Sequence, residues 1–380
     1  MIDIKPFYQY AGLFLALVLI ISCGNERTSR VGFNKKNSIP LAYATGFDVL
    51  QTSWGFVVTV FNPDENGSIK EQYGLSENIL EVPDSLVAIK TPLTHVACLS
   101  TTHIPMFSQL EAFNAISGVA YARYIKDSTL HQLISSKTIM EIDGPDGLDT
   151  ELLLSSKSKY LMVYPYEDEG YAKYEKYGTQ LIYNAEYAEK HPLGKVEWIK
   201  FFGLLTNKWE LSVKIFDKIA VRYEATAELV KQTKEKPTVF AGSYFKSMWN
   251  APNGNSLVAR LLEDAGANYI FESSDLVGNI ILDKETFISK AVKADYWGRV
   301  VNNSQVVEWP LPYEMLQHFE AIKKQQSFYC NVSNTDYFGV GTLEPDVILK
   351  DLVAIFHPEV LESYQPTYFK SFTTDQYPRP

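Results

Sequence analysis

Short apolar runs and stretches with helical spacing alternate along two blocks of the chain. In the first block they lie at residues 86–89, 95–100, 106–116, 148–155 and 160–164. This alternation predicts an α/β layer with a mostly parallel sheet. Ahead of it, residues 46–62 hold β-branched and aromatic residues around a Ser-Trp-Gly break, which predicts a hairpin or two edge strands.

The pattern changes between residues 195 and 235, which contain no proline and only one glycine, Gly203. Apolar residues recur there from Trp209 to Val230 in alternating steps of four and three, which is one continuous helical stripe. The stripe predicts a helix over about residues 208–234, roughly 40 Å long at 1.5 Å per residue. Pro237 ends it.

After this helix the first pattern returns. Strand-like and helical stretches lie at residues 238–242, 255–265, 282–292, 297–301 and 346–356. The segment LDTELLLS begins at Leu148 and the segment LDKETFIS begins at Leu282, so each block contains one Leu-Asp-x-Glu helix start. The repetition predicts two similar lobes joined by one long helix.

The N-terminus carries an apolar run at residues 11–21, which is followed by Ser22 and Cys23. The run is too short for a helix across a bilayer of about 30 Å, and it suits a signal-peptide core. The segment resembles a bacterial lipoprotein signal, with Cys23 as the lipidated mature N-terminus; an ordinary secretory signal is the alternative. The expected location is periplasmic or extracytoplasmic, with a membrane anchor through Cys23.

These patterns divide the chain into five predicted segments. They are a lipoprotein signal peptide (1–23), a polar tether (24–41), an N-terminal α/β lobe (42–206), a lobe-spanning helix (207–236) and a C-terminal α/β lobe (237–380).

Composition excludes some functions. The net charge is −10 and no basic patch is visible, which argues against nucleic acid as a partner. Only six histidines are present, and none shows paired ligand spacing, which disfavours a zinc or manganese receptor. No common catalytic motif occurs, although a lipoprotein hydrolase on an α/β scaffold stays an alternative. Cys98 and Cys330 could pair in an oxidising compartment, or Cys98 could be a buried small residue.

Several motifs together carry a family resemblance. They are Leu99-Ser100-Thr101-Thr102-His103 followed by Ile116-Ser117-Gly118-Val119, residues 147–163, Trp249 with Asn253-Gly254-Asn255-Ser256, residues 262–269, Asn334-Thr335-Asp336-Tyr337, and residues 345–358. In order and spacing they resemble the extracytoplasmic solute-binding proteins of ABC importers for ferric siderophores, haem and vitamin B12. The resemblance covers about residues 42–372, and Ser158-Lys159 replaces the family's Pro-Asp.

The resemblance implies two Rossmann-like lobes joined by a single rigid helix, in a monomer without a resident cofactor. The implied ligand is an iron chelate, haem or corrinoid in the inter-lobe cleft, and the implied partner is an ABC importer permease. One acid on each lobe, Glu151 and Glu285, would dock on permease arginines. Alternatively, these acids only complement the dipoles of helices capped by Asp149 and Asp283.

Turns that follow the predicted strands supply the candidate ligand residues, because aromatic faces, cations and hydroxyl groups suit metal chelates. They are Thr101, Thr102, His103, Tyr121, Arg123, Tyr124, Tyr164, Tyr166, Tyr244, Lys246, Trp249, Phe271, Asp336 and Tyr337. Core packing is the alternative for each aromatic residue. His103 could instead cap a helix or be a buried imidazole, and Arg123 could pair with Asp127 rather than clamp a carboxylate.

Overall fold

The computed structural model describes residues 37–372, except residues 64, 66, 145–146, 247, 272–277, 303–310 and 312. The predicted signal peptide, Cys23 and most of the predicted tether lie outside the described residues. Within the described ranges, no helix combines the length and the apolar character that a membrane crossing requires.

A five-stranded sheet begins the described chain. In spatial order its strands are β1 (Ser38–Ile39), β2 (Phe47–Gln51), β3 (Phe56–Phe61), β4 (Ile69–Ser76) and β5 (Val87–Lys90). Neighbouring strands are antiparallel except β4 and β5. The hairpin predicted over residues 46–62 is confirmed as β2 and β3, but both strands lie inside the sheet rather than at its edge.

A parallel sheet follows, because short buried strands alternate with helices. In chain order the elements are β6 (Val96–Cys98), α1 (His103–Gln109), β7 (Ile116–Val119), α2 (Ser128–Ser135), β8 (Met140–Glu141), β9 (Asp143–Gly144), β10 (Gly147–Leu148), α3 (Thr150–Ser155), β11 (Tyr160–Val163), α4 (Asp168–Tyr171) and β12 (Gln180–Tyr183). The sheet order is β12-β11-β6-β7-β8, and β9 pairs with β10 separately. Together with the first sheet, these elements form the N lobe.

The helix predicted over residues 106–116 has different bounds in the structure. It begins earlier, at His103, and ends at Gln109, and Glu111 then adopts a positive φ of 49°. The apolar spacing continued past the helix because Ala112 and Ala115 are buried in the same core.

The long helix predicted between the lobes is present as α7 (Trp209–Val230), which is 22 residues long. It is preceded by α5 (Pro192–Glu197) and α6 (Ile199–Leu205). The predicted stripe is buried at Phe216, Tyr223 and Val230. Tyr223 Oη donates to Asp264 Oδ2 at 2.7 Å and so attaches α7 to the second lobe.

The second lobe, the C lobe, repeats the α/β arrangement. Its elements are β13 (Thr238–Ala241), β14 (Ser243–Phe245), β15 (Met248–Pro252), α8 (Leu257–Asp264), β16 (Asn268–Tyr269), β17 (Asn279–Asp283), α9 (Lys284–Ala291), β18 (Tyr296–Val301), α10 (Tyr313–Leu316), α11 (Glu320–Lys323), β19 (Ser327–Asn331), α12 (Pro345–Phe356) and β20 (Phe369–Phe372). The main sheet has the order β16-β13-β18-β19-β20, and only β20 is antiparallel to its neighbour. Strands β14, β15 and β17 form a separate antiparallel sheet.

One apolar core extends from the N lobe through α7 into the C lobe, and it includes Val163, Phe216 and Leu349. A second core lies within the C lobe around Phe240 and Trp297. The chain is therefore an α/β protein whose two Rossmann-like lobes are joined by a single long helix. Cys98 and Cys330 are both buried and free, so the disulfide alternative is wrong.

Candidate functional site

The two main sheets direct the carboxyl ends of parallel strands into one cleft between the lobes. Loops after β6, β7 and β11 of the N lobe, and after β18 and β19 of the C lobe, enclose a cavity of about 750 Å³, which we call the large chamber. Its lining consists of Leu99, Ser100, Thr101, Tyr121, Arg123, Tyr124, Lys126, Tyr164, Asn302, Val332, Ser333, Thr335, Asp336 and Phe338. Open α/β sheets commonly bind ligands at such strand ends.

Part of the predicted ligand set lines this chamber. Its members there are Thr101, Tyr121, Arg123, Tyr124, Tyr164 and Asp336. Sequence reasoning missed Ser100, Lys126, Asn302 and Phe338. Ser100 adjoins a predicted strand end, so the rule that selected Thr101 would also have selected it.

Arg123 is held between aromatic rings at the chamber wall. Its guanidinium lies 4.7 Å from the ring centre of Tyr124 and 5.8 Å from that of Tyr121. It also pairs with Asp143 Oδ2 at 3.5 Å. The guanidinium forms no ion pair with Asp127, so that alternative is wrong. Asp127 accepts a hydrogen bond from the Leu130 N–H as the N-cap of α2. The chamber therefore presents a cation supported by two aromatic faces.

A network of hydroxyl groups lies beneath the chamber wall. The Tyr164 hydroxyl is 2.7 Å from Ser100 Oγ and 2.9 Å from Thr102 Oγ1. Both Tyr164, at 3.3 Å, and Thr102, at 2.7 Å, donate to Glu186 Oε1. Burial raises the pKa of the Glu186 carboxyl and that of the Tyr164 hydroxyl. Thr102 thus points toward the interior, and the network holds the Tyr164 ring in the wall.

His103 lies behind this wall and does not reach the chamber. It is fully buried, and neither ring nitrogen has a hydrogen-bond partner among the described residues. Its ring meets that of Tyr164 at a centroid distance of 5.4 Å and an angle of 68°. Burial, with a smaller effect of Lys195, lowers the pKa of the imidazole to about 3. His103 is therefore neutral at physiological pH, and no side-chain hydrogen bond joins it to Ser100.

Three tyrosines form an aromatic wall on the N lobe. Tyr164 and Tyr166 are stacked at 5.6 Å, and Tyr187 meets both rings edge-on at 4.9 Å and 5.2 Å. Tyr166 is 58% exposed, so this wall offers a face to solvent. Tyr187 follows β12 at a position that no sequence motif marked.

Several predicted ligand residues of the C lobe lie elsewhere. Trp249 is fully buried and stacks on Phe287 at 3.7 Å, and Phe271 is buried in the same core. Tyr244 packs against that core, and Lys246 lies in the turn between β14 and β15. Trp249 and Phe271 are therefore core residues, whereas Tyr244 and Lys246 belong to an antiparallel hairpin that follows β13 in place of a cleft loop. Ligand contact at Tyr244 and Lys246 stays a prediction.

Tyr337 lines a second inter-lobe cavity of about 290 Å³, which we call the small chamber. Phe338 borders both chambers. Asp336 lines the large chamber but accepts a hydrogen bond from the Val340 N–H at 3.0 Å, so its carboxylate also shapes its own loop.

Lys126 crosses the cleft. Its ammonium group donates to the carbonyl oxygens of Val332, Ser333 and Thr335 at 2.9, 2.9 and 2.8 Å. Since Lys126 belongs to the N lobe and its acceptors follow β19, this contact joins the lobes at the edge of the large chamber.

Glu151 and Glu285 lie at the two helix starts that the repeated Leu-Asp-x-Glu motif predicts. Asp149 caps α3 by accepting from the Glu151 and Leu152 N–H groups at 2.8 and 2.9 Å, and Asp283 caps α9 by accepting from the Thr286 N–H at 2.8 Å. Glu151 and Glu285 are exposed in the first turns of these helices, one on each lobe. The capping predictions are confirmed.

The described residues hold no group of three or more His, Cys, Asp and Glu side chains that could bind a metal ion. The polar lining of the large chamber is instead made of hydroxyl groups, one guanidinium, one ammonium, one carboxylate and one amide.

No protein-family model matches the chain. An uncharacterized lipoprotein of Methanocaldococcus jannaschii is 25% identical over 305 residues, which cover 77% of this chain and 72% of that protein. A second uncharacterized lipoprotein of the same organism is 24% identical over 289 residues, which cover 72% of each chain.

Solved structures show the same fold. A periplasmic binding protein from Veillonella parvula matches with a TM-score of 0.58 and 16% identity, over 71% of this chain and 93% of that one. S. aureus IsdE complexed with heme matches with a TM-score of 0.55 and 13% identity, over 70% and 99% of the two chains. A periplasmic vitamin B12 binding protein of Vibrio cholerae matches with a TM-score of 0.53 and 10% identity, over 72% and 99%. The chain has the two-lobe fold of these periplasmic binding proteins.

Proposed function

We propose that this protein is an extracytoplasmic solute-binding lipoprotein that captures a metal chelate, haem or corrinoid in the large chamber and delivers it to an ABC importer. The observation that carries the proposal is the large chamber itself. It lies where strand ends of both lobes converge, and aromatic side chains with a guanidinium line it. The fold it shares with proteins that bind heme and vitamin B12 supports the same assignment.

The chemistry of the lining fits a large planar or aromatic ligand with peripheral negative charge. Tyr121 and Tyr124 offer ring faces beside the Arg123 guanidinium. Aromatic faces contribute apolar contact area with little loss of side-chain freedom, and a guanidinium can bind a carboxylate through two parallel hydrogen bonds. The ligand would displace water from a cavity within the usual size range of small-molecule sites.

Delivery would use the exposed acids on the two lobes. Glu151 and Glu285 occupy equivalent first-turn positions, and the helix joining the lobes would keep their separation fixed. Exposed ion pairs contribute little affinity individually, so their role would be orientation and encounter rate. Acyl chains on Cys23 would hold the protein at the membrane, in agreement with the description of the M. jannaschii relatives as lipoproteins.

The test is a titration of the full-length chain in lipid nanodiscs with haemin, cyanocobalamin and a ferric tris-catecholate, followed by quenching of intrinsic fluorescence. We expect one of the three to bind, and we expect Tyr121→Ala with Tyr124→Ala to weaken binding at least tenfold. Tyr177→Ala is the matched control, because Tyr177 is 49% exposed and lies outside the large chamber. Absence of binding by all three probes, or an equal loss in the control, would refute the proposal.

A further inference from the structure

The small chamber differs from the large chamber in place and in chemistry. It lies between α5 of the N lobe and α8 and α12 of the C lobe, at the β12 side of the cleft. Most of its wall is apolar, with Pro252, Val258, Leu261 and Ile348 among the contributors. Phe338 forms the boundary that it shares with the large chamber.

The small chamber holds two lysine side chains among its lining residues. Lys195 is half-buried in its wall, and across residues 37–372 as described, no oxygen accepts a hydrogen bond from its ammonium group. The Tyr337 hydroxyl, on the opposite lobe, likewise has no partner among those residues. Lys190 stands exposed at the rim and adds a second positive charge. Two ammonium groups of the N lobe therefore supply positive charge to this cavity.

The carboxylates around this chamber do not neutralise these cations. Glu189 is the one carboxylate among the described lining residues, and it accepts hydrogen bonds from Thr45, Gly46 and Trp198 at 2.9–3.0 Å. Glu186 lies deeper, accepts from two hydroxyl groups and forms no ion pair with Lys195, although the two charges influence each other over a longer distance.

We propose that the small chamber is a separate binding site for a small organic anion with an apolar body. Its carboxylate or similar acidic group would accept a hydrogen bond from Lys195, and its body would pack against Val258 and Leu261. A half-buried ammonium has lost part of its hydration, and an anion enclosed by the same apolar walls would replace that hydration with a charge-assisted hydrogen bond. The cavity volume, about 290 Å³, restricts the ligand to a small molecule.

This inference does not rest on the function proposed for the large chamber. The two cavities share Phe338 but use different cations, Lys195 in one and Arg123 in the other. If no chelate binds, the proposal for the small chamber still stands. If no anion binds, the proposal for the large chamber still stands.

The experiment compares 2-naphthoate with its uncharged isostere 2-naphthamide. Both probes are titrated calorimetrically into the full-length chain in lipid nanodiscs, and empty nanodiscs provide the blank. We expect naphthoate to bind at least tenfold more tightly than naphthamide. Lys195→Met should remove this preference while changing the naphthamide affinity less than twofold, and Lys195→Arg should retain it.

Two further variants locate the site. Lys218→Met makes the same charge change on the exposed face of α7, away from both chambers, and should keep the full preference. Val258→Trp should fill the small chamber and abolish binding of both probes. Equal binding of the two probes, a preference that survives Lys195→Met, or a preference lost in Arg123→Met instead would each overturn the proposal.

Discussion

Lys126 donates a 2.8 Å hydrogen bond from its ammonium group to the carbonyl oxygen of Thr335, across the cleft between the lobes. Two neighbouring carbonyl oxygens, of Val332 and Ser333, accept from the same group. One side chain thus satisfies three backbone acceptors that follow β19, and it does so at the edge of the large chamber.

Lys126→Met should loosen this junction. Because Lys126 is exposed, we expect the free energy of unfolding to fall by only about 1 kcal/mol, less than is usual for hydrogen bonds from charged donors. The loop after β19 should become more mobile, which hydrogen–deuterium exchange would register as faster exchange of its backbone amides. Lys218→Met is the control. Unchanged exchange in this loop would show that the contact does not hold it in place.

His103 should make the protein sensitive to acid. Its pKa is lowered to about 3, so below the ordinary value of 6.5 the unfolded chain binds a proton that the folded chain does not. The protein should therefore become less stable as pH falls. Its free energy of unfolding should drop by about 2 kcal/mol between pH 7 and pH 5, because one pKa unit corresponds to about 1.4 kcal/mol. His103→Leu should remove this loss in urea unfolding at the two pH values. His318→Leu, at an exposed position, should leave the loss unchanged.

Glu186 should make the protein less stable as pH rises. Burial raises the pKa of its carboxyl above the ordinary value of 4.5, so the folded state binds the proton more tightly than the unfolded state. Stability contributed by this group is present at low pH and is lost as pH rises through the folded-state pKa. Glu186→Gln should therefore gain stability relative to the parent protein between pH 4.5 and pH 8. Unfolding curves at both pH values, with Glu151→Gln as the exposed control, measure the difference.

Glu151→Ala combined with Glu285→Ala should abolish transport and leave ligand affinity nearly unchanged. Both side chains are exposed and neither lines either chamber, so their loss removes only the charges proposed to meet the permease. Uptake by cells that carry the cognate importer is the measurement, with ligand titration of the purified variant beside it. Glu210→Ala with Glu263→Ala, two exposed acids elsewhere, is the matched control. A fall in ligand affinity would reject the docking role.

Trp249→Ala should destabilise the C lobe by about 3–5 kcal/mol, because a fully buried aromatic side chain leaves a cavity when it is truncated. The Phe287 ring would lose its stacking partner. Chemical denaturation measures the loss. Tyr244→Ala, at a half-buried position on the neighbouring strand, should cost clearly less, and equal losses would contradict the packing.

Local signals in the sequence predicted local structure well. The Leu-Asp-x-Glu motifs predicted two capped helices because Asp149 and Asp283 satisfy N–H groups within three residues along the chain. The apolar stripe predicted α7 because a helical period is visible in any long window. The stripe predicts that the helix continues to residue 234, whereas α7 ends at Val230.

Long-range contacts were beyond the sequence patterns. The carbonyl acceptors of Lys126 lie 206 to 209 residues away and carry no side-chain signature. The sequence pattern predicts Trp249 in the cleft, because an aromatic residue near a strand end looks the same in a core and in a binding site. Trp249 lies in the core because its strand, β15, pairs with β14 on one side and with β17 on the other. That pairing cannot be read from a single stretch of sequence.

The apolar core that continues from the N lobe through α7 into the C lobe has a mechanical consequence. Bending the molecule between its halves would expose this shared interior to water, so the proposed solute capture would proceed by movements of the rim loops rather than by a swing of the halves. The outline of the protein would then change little between empty and filled forms. A membrane partner would therefore have to sense the captured solute itself, or the loops that enclose it, to tell the two forms apart.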